Sequence, residues 1–253
     1  MNDSYIARRA DFRALHASGC FILPNPWDAG GATRLAELGF KALASSSSAA
    51  ALALGKTDHL ITLEEVLAHL SMLVAATDLP VNADFENGFA DAPEEVATNV
   101  SRAIETGIAG LSIEDQTGPT LYPIDLAVAR IAAARAAIDA SGKDVILVGR
   151  CEAYLLGETD PAVALARLAA FADAGADCLF APGITNLGDI AAMVRALAPK
   201  PVNVLIMKPE MTVADLANAG VRRVSVGGAL AGAAWRGFDR AAAALAAQQV
   251  GLH

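Results

Sequence analysis

Asp84 and Glu86 stand two residues apart in Val81-Asn82-Ala83-Asp84-Phe85-Glu86-Asn87-Gly88. An extended strand projects both carboxylates from one face. Held together near the end of an apolar strand, two carboxylates repel each other and lose solvation, and a cation relieves both problems. A second acidic strand end, Leu111-Ser112-Ile113-Glu114-Asp115, follows at the spacing of one strand–helix unit. Asp84, Glu86 and Glu114 are therefore expected to hold a divalent metal. The plainer reading makes them strand-terminal acids that cap the following helices. The apolar run Val145–Gly149 leads into Arg150-Cys151-Glu152. Arg150 has two compatible readings, an ion pair with Glu114 or Glu152 and a planar fork for a substrate carboxylate.

Other residues complete the inventory. Ser45-Ser46-Ser47-Ser48 lies between a strand and a helical run, where amides and hydroxyls gather to receive a carboxylate or phosphate oxygen. Asn203 is placed on the seventh strand, and Gly227-Gly228 at the end of the eighth serves close packing or phosphate binding. No histidine or cysteine stands at a convincing strand end: His16, His59, His69 and His253 fall on helices, loops or the terminus. Oxygen ligands of this kind suit Mg2+ or Mn2+ and do not suit zinc. A Mg2+ ion, an arginine and backbone donors together stabilise an enolate formed from a 2-oxo acid.

One repeating grammar positions these residues: a β-branched run, a polar or glycine-containing strand end, an Ala/Leu-rich helix, then a glycine or proline. The expected strands are Phe21–Pro24, Lys41–Ser45, Val81–Phe85, Gly110–Glu114, Val145–Arg150, Cys178–Ala181, Val202–Ile206 and Arg223–Val226. Helix stops are expected at Gly39, Gly107, Gly142, Gly175 and Gly220. Eight such units predict an α/β fold, a (β/α)8 TIM barrel forming one domain over residues 1–253 with a short N-terminal helix. A doubly wound sheet would normally carry G-x-G-x-x-G after its first strand, and that motif is missing.

Composition excludes several partners. A net charge of -9 with no Lys/Arg cluster argues against nucleic acid and anionic membranes. No run of apolar residues is long enough to span a bilayer, and Met1–Ala17 is too polar and charged for a signal peptide, so a cytoplasmic protein is expected. Cys20, Cys151 and Cys178 lack zinc spacing and should be reduced thiols, mostly in the core.

Taken in order, these motifs resemble the isocitrate lyase/phosphoenolpyruvate mutase superfamily along most of the chain. Gly39-Phe40-Lys41-Ala42 with the serine turn is similar to the family's second strand and substrate loop. Gly55-Lys56-Thr57-Asp58 resembles its glycine-to-aspartate step, and Asp84-Phe85-Glu86-Asn87-Gly88 its D-x-D-x-G metal motif. Ser112-Ile113-Glu114-Asp115 and Gly149-Arg150-Cys151-Glu152-Ala153 resemble its S-I-E-D and A-R-x-[DE]-A segments.

The resemblance implies a Mg2+-dependent (Mn2+ as alternative) lyase or decarboxylase of a small 2-oxo or 2-hydroxy carboxylic acid, working through an enolpyruvate-like intermediate. It places the metal on Asp84, Glu86 and Glu114, the substrate on Ser45, Ser46, Ser47 and Arg150, and Asp58 beside the reacting centre. It also implies a homo-oligomer, a dimer or tetramer. The chain departs from the family at Gln116–Pro123, where lyases carry K-K-C-G-H. Isocitrate cleavage is thus not expected, and Tyr122 is the obvious proton donor left in that loop. Phosphonopyruvate P–C chemistry and an oxo-acid-binding barrel with reduced catalysis are the alternatives.

Overall fold

The computed structural model describes residues 3–248; His253 and the two chain ends lie outside the described residues. Eight parallel strands form a nearly closed barrel: β1 (Phe21–Leu23), β2 (Leu43–Ala44), β3 (Val81–Asp84), β4 (Gly110–Glu114), β5 (Ile146–Arg150), β6 (Cys178–Phe180), β7 (Val202–Leu205) and β8 (Arg223–Ser225). Their order is β1-β8-β7-β6-β5-β4-β3-β2, so each strand lies beside its sequence neighbour. At the seam between β1 and β2, the amide of Ala44 donates to the carbonyl of Pro24 at 3.0 Å. Every expected strand is present: Gly110–Glu114 has the expected bounds and the others are shorter by one to three residues.

Helix α1 (Asp3–Ala17) precedes the barrel, and α2 (Ala29–Glu37) follows β1. The second unit carries two helices, α3 (Ser47–Ala53) and α4 (Leu63–Ala76). Then come α5 (Pro93–Glu105), α6 (Ile124–Ser141), α7 (Pro161–Asp173), α8 (Leu187–Leu197), α9 (Val213–Asn218) and α10 (Ala229–Ala246). Six of them, α2, α3, α4, α7, α8 and α9, start at side chains that accept otherwise unpaired amides. Asp28 accepts from Gly31 at 2.6 Å, and Thr62 with Glu65 forms a capping box on α4. All of the expected glycine stops adopt the left-handed backbone that ends a helix.

The apolar residues form two separate cores. One lies between strands and helices and includes Leu70, Ile104, Leu111, Ile131 and Phe171. The other fills the lower lumen with Phe21, Leu23, Ile146, Val148 and Cys178, and Phe12 of α1 plugs it from below. Gly110 is needed at that floor, because a Cβ there would lie 2.7 Å from both Phe12 Cε1 and Asn82 Oδ1. Above the plug, the stretch Gln116–Pro123 folds a hairpin, Gln116–Thr117 against Thr120–Leu121. The three cysteines are free thiols, with Cys151 and Cys178 buried. Among the described residues, no helix is long and apolar enough to cross a membrane.

Candidate active site

The C-terminal ends of β3, β4 and β5 bring the acids and Arg150 together. Glu114 is the register partner of Arg150, and Asp84 that of Ser112 on the same intervening strand. Arg150 Nη1 lies 2.9 Å from Asp84 Oδ1 and 2.8 Å from Glu114 Oε1, and its Nε meets Glu152 Oε1. The ion-pair reading of Arg150 therefore holds for three carboxylates at once. These contacts leave little of the guanidinium for a substrate fork. Burial opposes the charge of Arg150, but the surrounding carboxylates outweigh it and raise its pKa. Burial lifts Glu114 to about 8, against the pull of Arg150 and with the push of Glu152 and Asp84.

Glu86 follows the strand rather than ending it. Its φ is +43° and that of Gly88 is +78°, and the turn closes with Gly88 N donating to Phe85 O at 2.8 Å. A Cβ on Gly88 would sit 3.1 Å from Val96 Cγ1. A glutamate held in the left-handed region is strained, and such strain persists where the surroundings dictate the position. The amide of Glu114 donates to the carbonyl of Glu86 at 2.8 Å and provides part of that hold.

The turn swings Glu86 away from Asp84 and towards the loop after α3. Glu86 Oε2 lies 3.7 Å from His59 Nδ1, and Glu114 Oε2 lies 4.0 Å from the same nitrogen. Among the described residues, the ligand atoms that converge within 4.8 Å of one another belong to Asp58, His59 and Glu86. The expected trio of Asp84, Glu86 and Glu114 does not close this tightly, because Asp84 turns to Arg150 and Ser47.

His59 was not legible as a site residue, since it stands on a loop distant from any strand end. The usable signal was its place directly after Asp58. The Glu86 carboxylate, 3.7 Å away, raises its pKa to about 9 against the effect of burial, and Gln116 Nε2 lies 3.0 Å from its Nε2. Glu86 Oε1 and Glu114 Oε2 are buried without a hydrogen bond, while Glu114 Oε1 faces Arg150 Nη1. Buried carboxylate oxygens lacking donors fit an oxygen-preferring divalent cation.

The serine turn lines the cavity, but much of its hydrogen bonding is turned inward. Ser47 donates to Asp84 Oδ2 through its amide at 2.9 Å and its hydroxyl at 3.0 Å, and Ser45 Oγ accepts from the Asp84 amide at 2.8 Å. Ser46 caps α3 and pairs with Ser48 at 3.1 Å. Asn203 lies beneath the cavity, donating to Ser225 and accepting from Arg223. Gly227 does not stand open for a phosphate: the amides of Val226 and Gly227 both donate to Asn25 Oδ1, at 3.1 and 2.9 Å.

Asp58, Ser45, Ser46, Ser47, Asp84, Glu114 and Arg150 do line one cavity of about 190 Å³, together with His59 and Arg223. That volume lies below the roughly 300–1,000 Å³ of drug-sized pockets and suits a small metabolite.

Tyr122 is not brought to this cavity. It is buried, its hydroxyl donates to Asp91 Oδ1 and accepts from Asn87 Nδ2, and Arg130 stacks on its ring at 4.1 Å. Burial and the Asp91 contact raise its pKa, which opposes phenolate formation. Its place is structural, tying the hairpin loop to the turn after β3. Tyr122→Phe is expected to lower stability by about 1–3 kcal/mol in urea unfolding, because Asp91 and Asn87 lose their partner. Turnover should stay within a few-fold. A loss of about a hundredfold or more, the range of a general acid, at unchanged stability would restore the proton-donor role.

Residues 12–246 match the family model for phosphoenolpyruvate phosphomutase. A crystal structure from Burkholderia cenocepacia J2315, provisionally described as a lyase/mutase, is similar with a TM-score of 0.93 and 48% identity, over 96% of this chain and 90% of that one. An uncharacterised protein of Mycobacterium tuberculosis is 33% identical over 219 residues, covering 85% of this chain and 81% of its own length. Oxaloacetate decarboxylase of Chromohalobacter salexigens is 32% identical over 232 residues, covering 85% of this chain and 77% of that protein. The acidic strand ends, the barrel and these matches agree: the chain belongs to the isocitrate lyase/phosphoenolpyruvate mutase superfamily and is an enzyme of that group.

Proposed function

We propose that the protein is a Mg2+-dependent carbon–carbon lyase that cleaves a small 2-oxo carboxylic acid, with decarboxylation of an oxaloacetate-like substrate as the favoured form. The observation that carries this reading is the pair Glu86 Oε1 and Glu114 Oε2, buried without hydrogen-bond donors beside a small polar cavity. Asp84, Glu86 and Glu114 would hold the cation, with Asp58 and His59 at its open side. When bound, the cation supplies positive charge to the oxygen of a developing enolate. The bond to the departing carboxylate breaks and its electron pair moves to the 2-oxo oxygen; a proton then returns to the adjacent carbon. Ser45 and Ser47 hold Asp84 in place, and Arg150 keeps three acids together while adding positive potential to the wall. His59, whose pKa the Glu86 carboxylate raises, lies on the cavity lining, where it would return that proton. The likeness to an oxaloacetate decarboxylase supports the substrate class. Phosphonate chemistry has less support, because Asn25 occupies amides that a phosphate group would use.

Pyruvate release should be measured over oxo acids, hydroxy acids and phosphonates, with Mg2+ and with EDTA. Turnover of an oxo acid is expected only with the metal, and Asp84→Ala should reduce it by at least about a hundredfold. Full activity in that variant would sink the mechanism. Metal-dependent oxalate binding without any turnover would point to the binding-only alternative.

Mg2+ affinity should itself depend on pH. Burial raises the Glu114 carboxyl against the pull of Arg150, so in the metal-free protein it takes up a proton well above the usual carboxylate range, and the cation must displace that proton where it is bound. Affinity is expected to rise between about pH 6 and 9, with proton release seen by calorimetry in buffers of different ionisation enthalpy. A pH-independent affinity would remove Glu114 from the ligand set.

A homo-oligomer, dimer or tetramer, is part of the same reading. It is supported by Phe238 and Leu245, which α10 leaves 61% and 58% exposed. Sedimentation equilibrium checks it, and a monomer at micromolar concentration would refute it.

A further inference from the structure

Three of the four residues from Glu86 to Phe89 hold left-handed backbone: φ is +43° at Glu86, +78° at Gly88 and +57° at Phe89. Only the glycine adopts it freely, so two residues with side chains are strained in one turn. An extended strand would aim Glu86 along the same face as Asp84. The turn carries it to Asp58 and His59 instead. The carbonyls of the turn identify what holds it there.

Each carbonyl from Phe85 to Asp91 accepts a hydrogen bond. That of Phe85 accepts from Gly88, that of Glu86 from the amide of Glu114, and those of Gly88 and Phe89 from Asn99 Nδ2. The others belong to one side chain of α6. Arg130 Nη1 donates to the carbonyls of Ala90 and Asp91, the latter at 2.7 Å, and Nη2 donates to that of Asn87. Arg130 is 1% exposed and has no carboxylate within ion-pair distance among the described residues. Burying a guanidinium is costly, and here the carbonyl dipoles of the turn offset the cost. The planar fork reaches both ends of the turn at once, which the compact ammonium of a lysine cannot do.

We propose that Arg130 is a positioning residue of the cation site: it clamps the turn after β3 from outside and so holds Glu86 apart from Asp84, on the side of Asp58 and His59. The inference rests on the functional reading above, in which Glu86 is a metal ligand. Arg130 does not line the cavity and acts only through the backbone of residues 87–91. Without it the strained turn relaxes towards extended backbone, Glu86 swings back towards Asp84, and the ligand atoms of Asp58, His59 and Glu86 no longer converge. Residues that hold a metal ligand in place set affinity by about ten- to a hundredfold.

Two measurements on the full chain test this: Mn2+ binding, read from loss of the free-ion paramagnetic resonance signal, and amide hydrogen exchange in EDTA. Arg130→Met should weaken Mn2+ binding about ten- to a hundredfold, with Arg130→Lys between it and the wild type. In a Glu86→Ala background the same Arg130→Met change should alter affinity by less than about twofold, because the ligand it positions is gone. An equal loss in both backgrounds, or full affinity in a folded Arg130→Met protein, overturns the assignment. In EDTA the amides of Gly88 and Phe89 should exchange at least about tenfold faster in Arg130→Met, measured relative to those of β8. Unchanged relative exchange overturns it as well. Arg130→Lys carries both measurements if Arg130→Met fails to fold. Wild-type protein that binds neither Mn2+ nor Mg2+ would sink the metal-site reading, and the exchange measured without metal would still decide whether Arg130 holds the turn.

Discussion

The guanidinium of Arg150 sits among carboxylates from β3, from β4 and from the segment that follows β5, and the rest of the site depends on that arrangement. Without a central positive charge, Asp84, Glu114 and Glu152 would share a space from which water is largely excluded, where like charges repel most strongly. The cluster is braced from behind. Asp115 accepts from the Glu152 amide at 2.8 Å and pairs with Arg167 at 2.6 Å, and Arg167 donates to the carbonyl of Tyr122 at 2.8 Å. The register of β4 with β5, which pairs Glu114 with Arg150, thus also sets the position of the hairpin loop.

This arrangement divides labour between strand ends. Glu86 leaves the strand through a strained turn and faces Asp58 and His59, whereas Asp84 faces Arg150 and the serines. Below the cavity lies a buried polar layer of Asn82, Asn203 and Arg223, and beneath it α1 seals the lumen with Phe12. Charge in the cavity is therefore asymmetric. Three acids surround the single charge of Arg150, and Arg223 reaches across the lumen from β8 to Asn82 of β3 beneath them.

The barrel was legible in the chain because a parallel strand buried on both faces reads as a short apolar run, and these runs alternated with helices that ended at a glycine or proline. The glycines at positions 39, 107, 142, 175 and 220 all proved to be left-handed. The acids were legible for a related reason: charged residues directly after an apolar strand must lie at its end, where barrels place their chemistry. His59 and Arg223 escaped that rule. His59 belongs to a loop whose path no periodicity reveals, and Arg223 lies within a strand, where an arginine beside Arg222 reads as exposed. Tyr122 failed in the opposite sense, since a polar residue in a loop was expected to face the cavity and instead serves as a buried brace.

Residue order and type alone therefore specified the alternation of strands and helices, the strand ends that carry acids, and the match to an oxo-acid enzyme family. Those features are local, or follow from the short connections that make sequence neighbours spatial neighbours. Partner choice was decided only by the tertiary structure. Arg150 is committed to three acids and Arg223 to none, although both are arginines on barrel strands. The physical reason is that a side chain's charge environment depends on strands distant in sequence, Asn82 lying 141 residues from Arg223. Only closure of the barrel brings their side chains into one lumen.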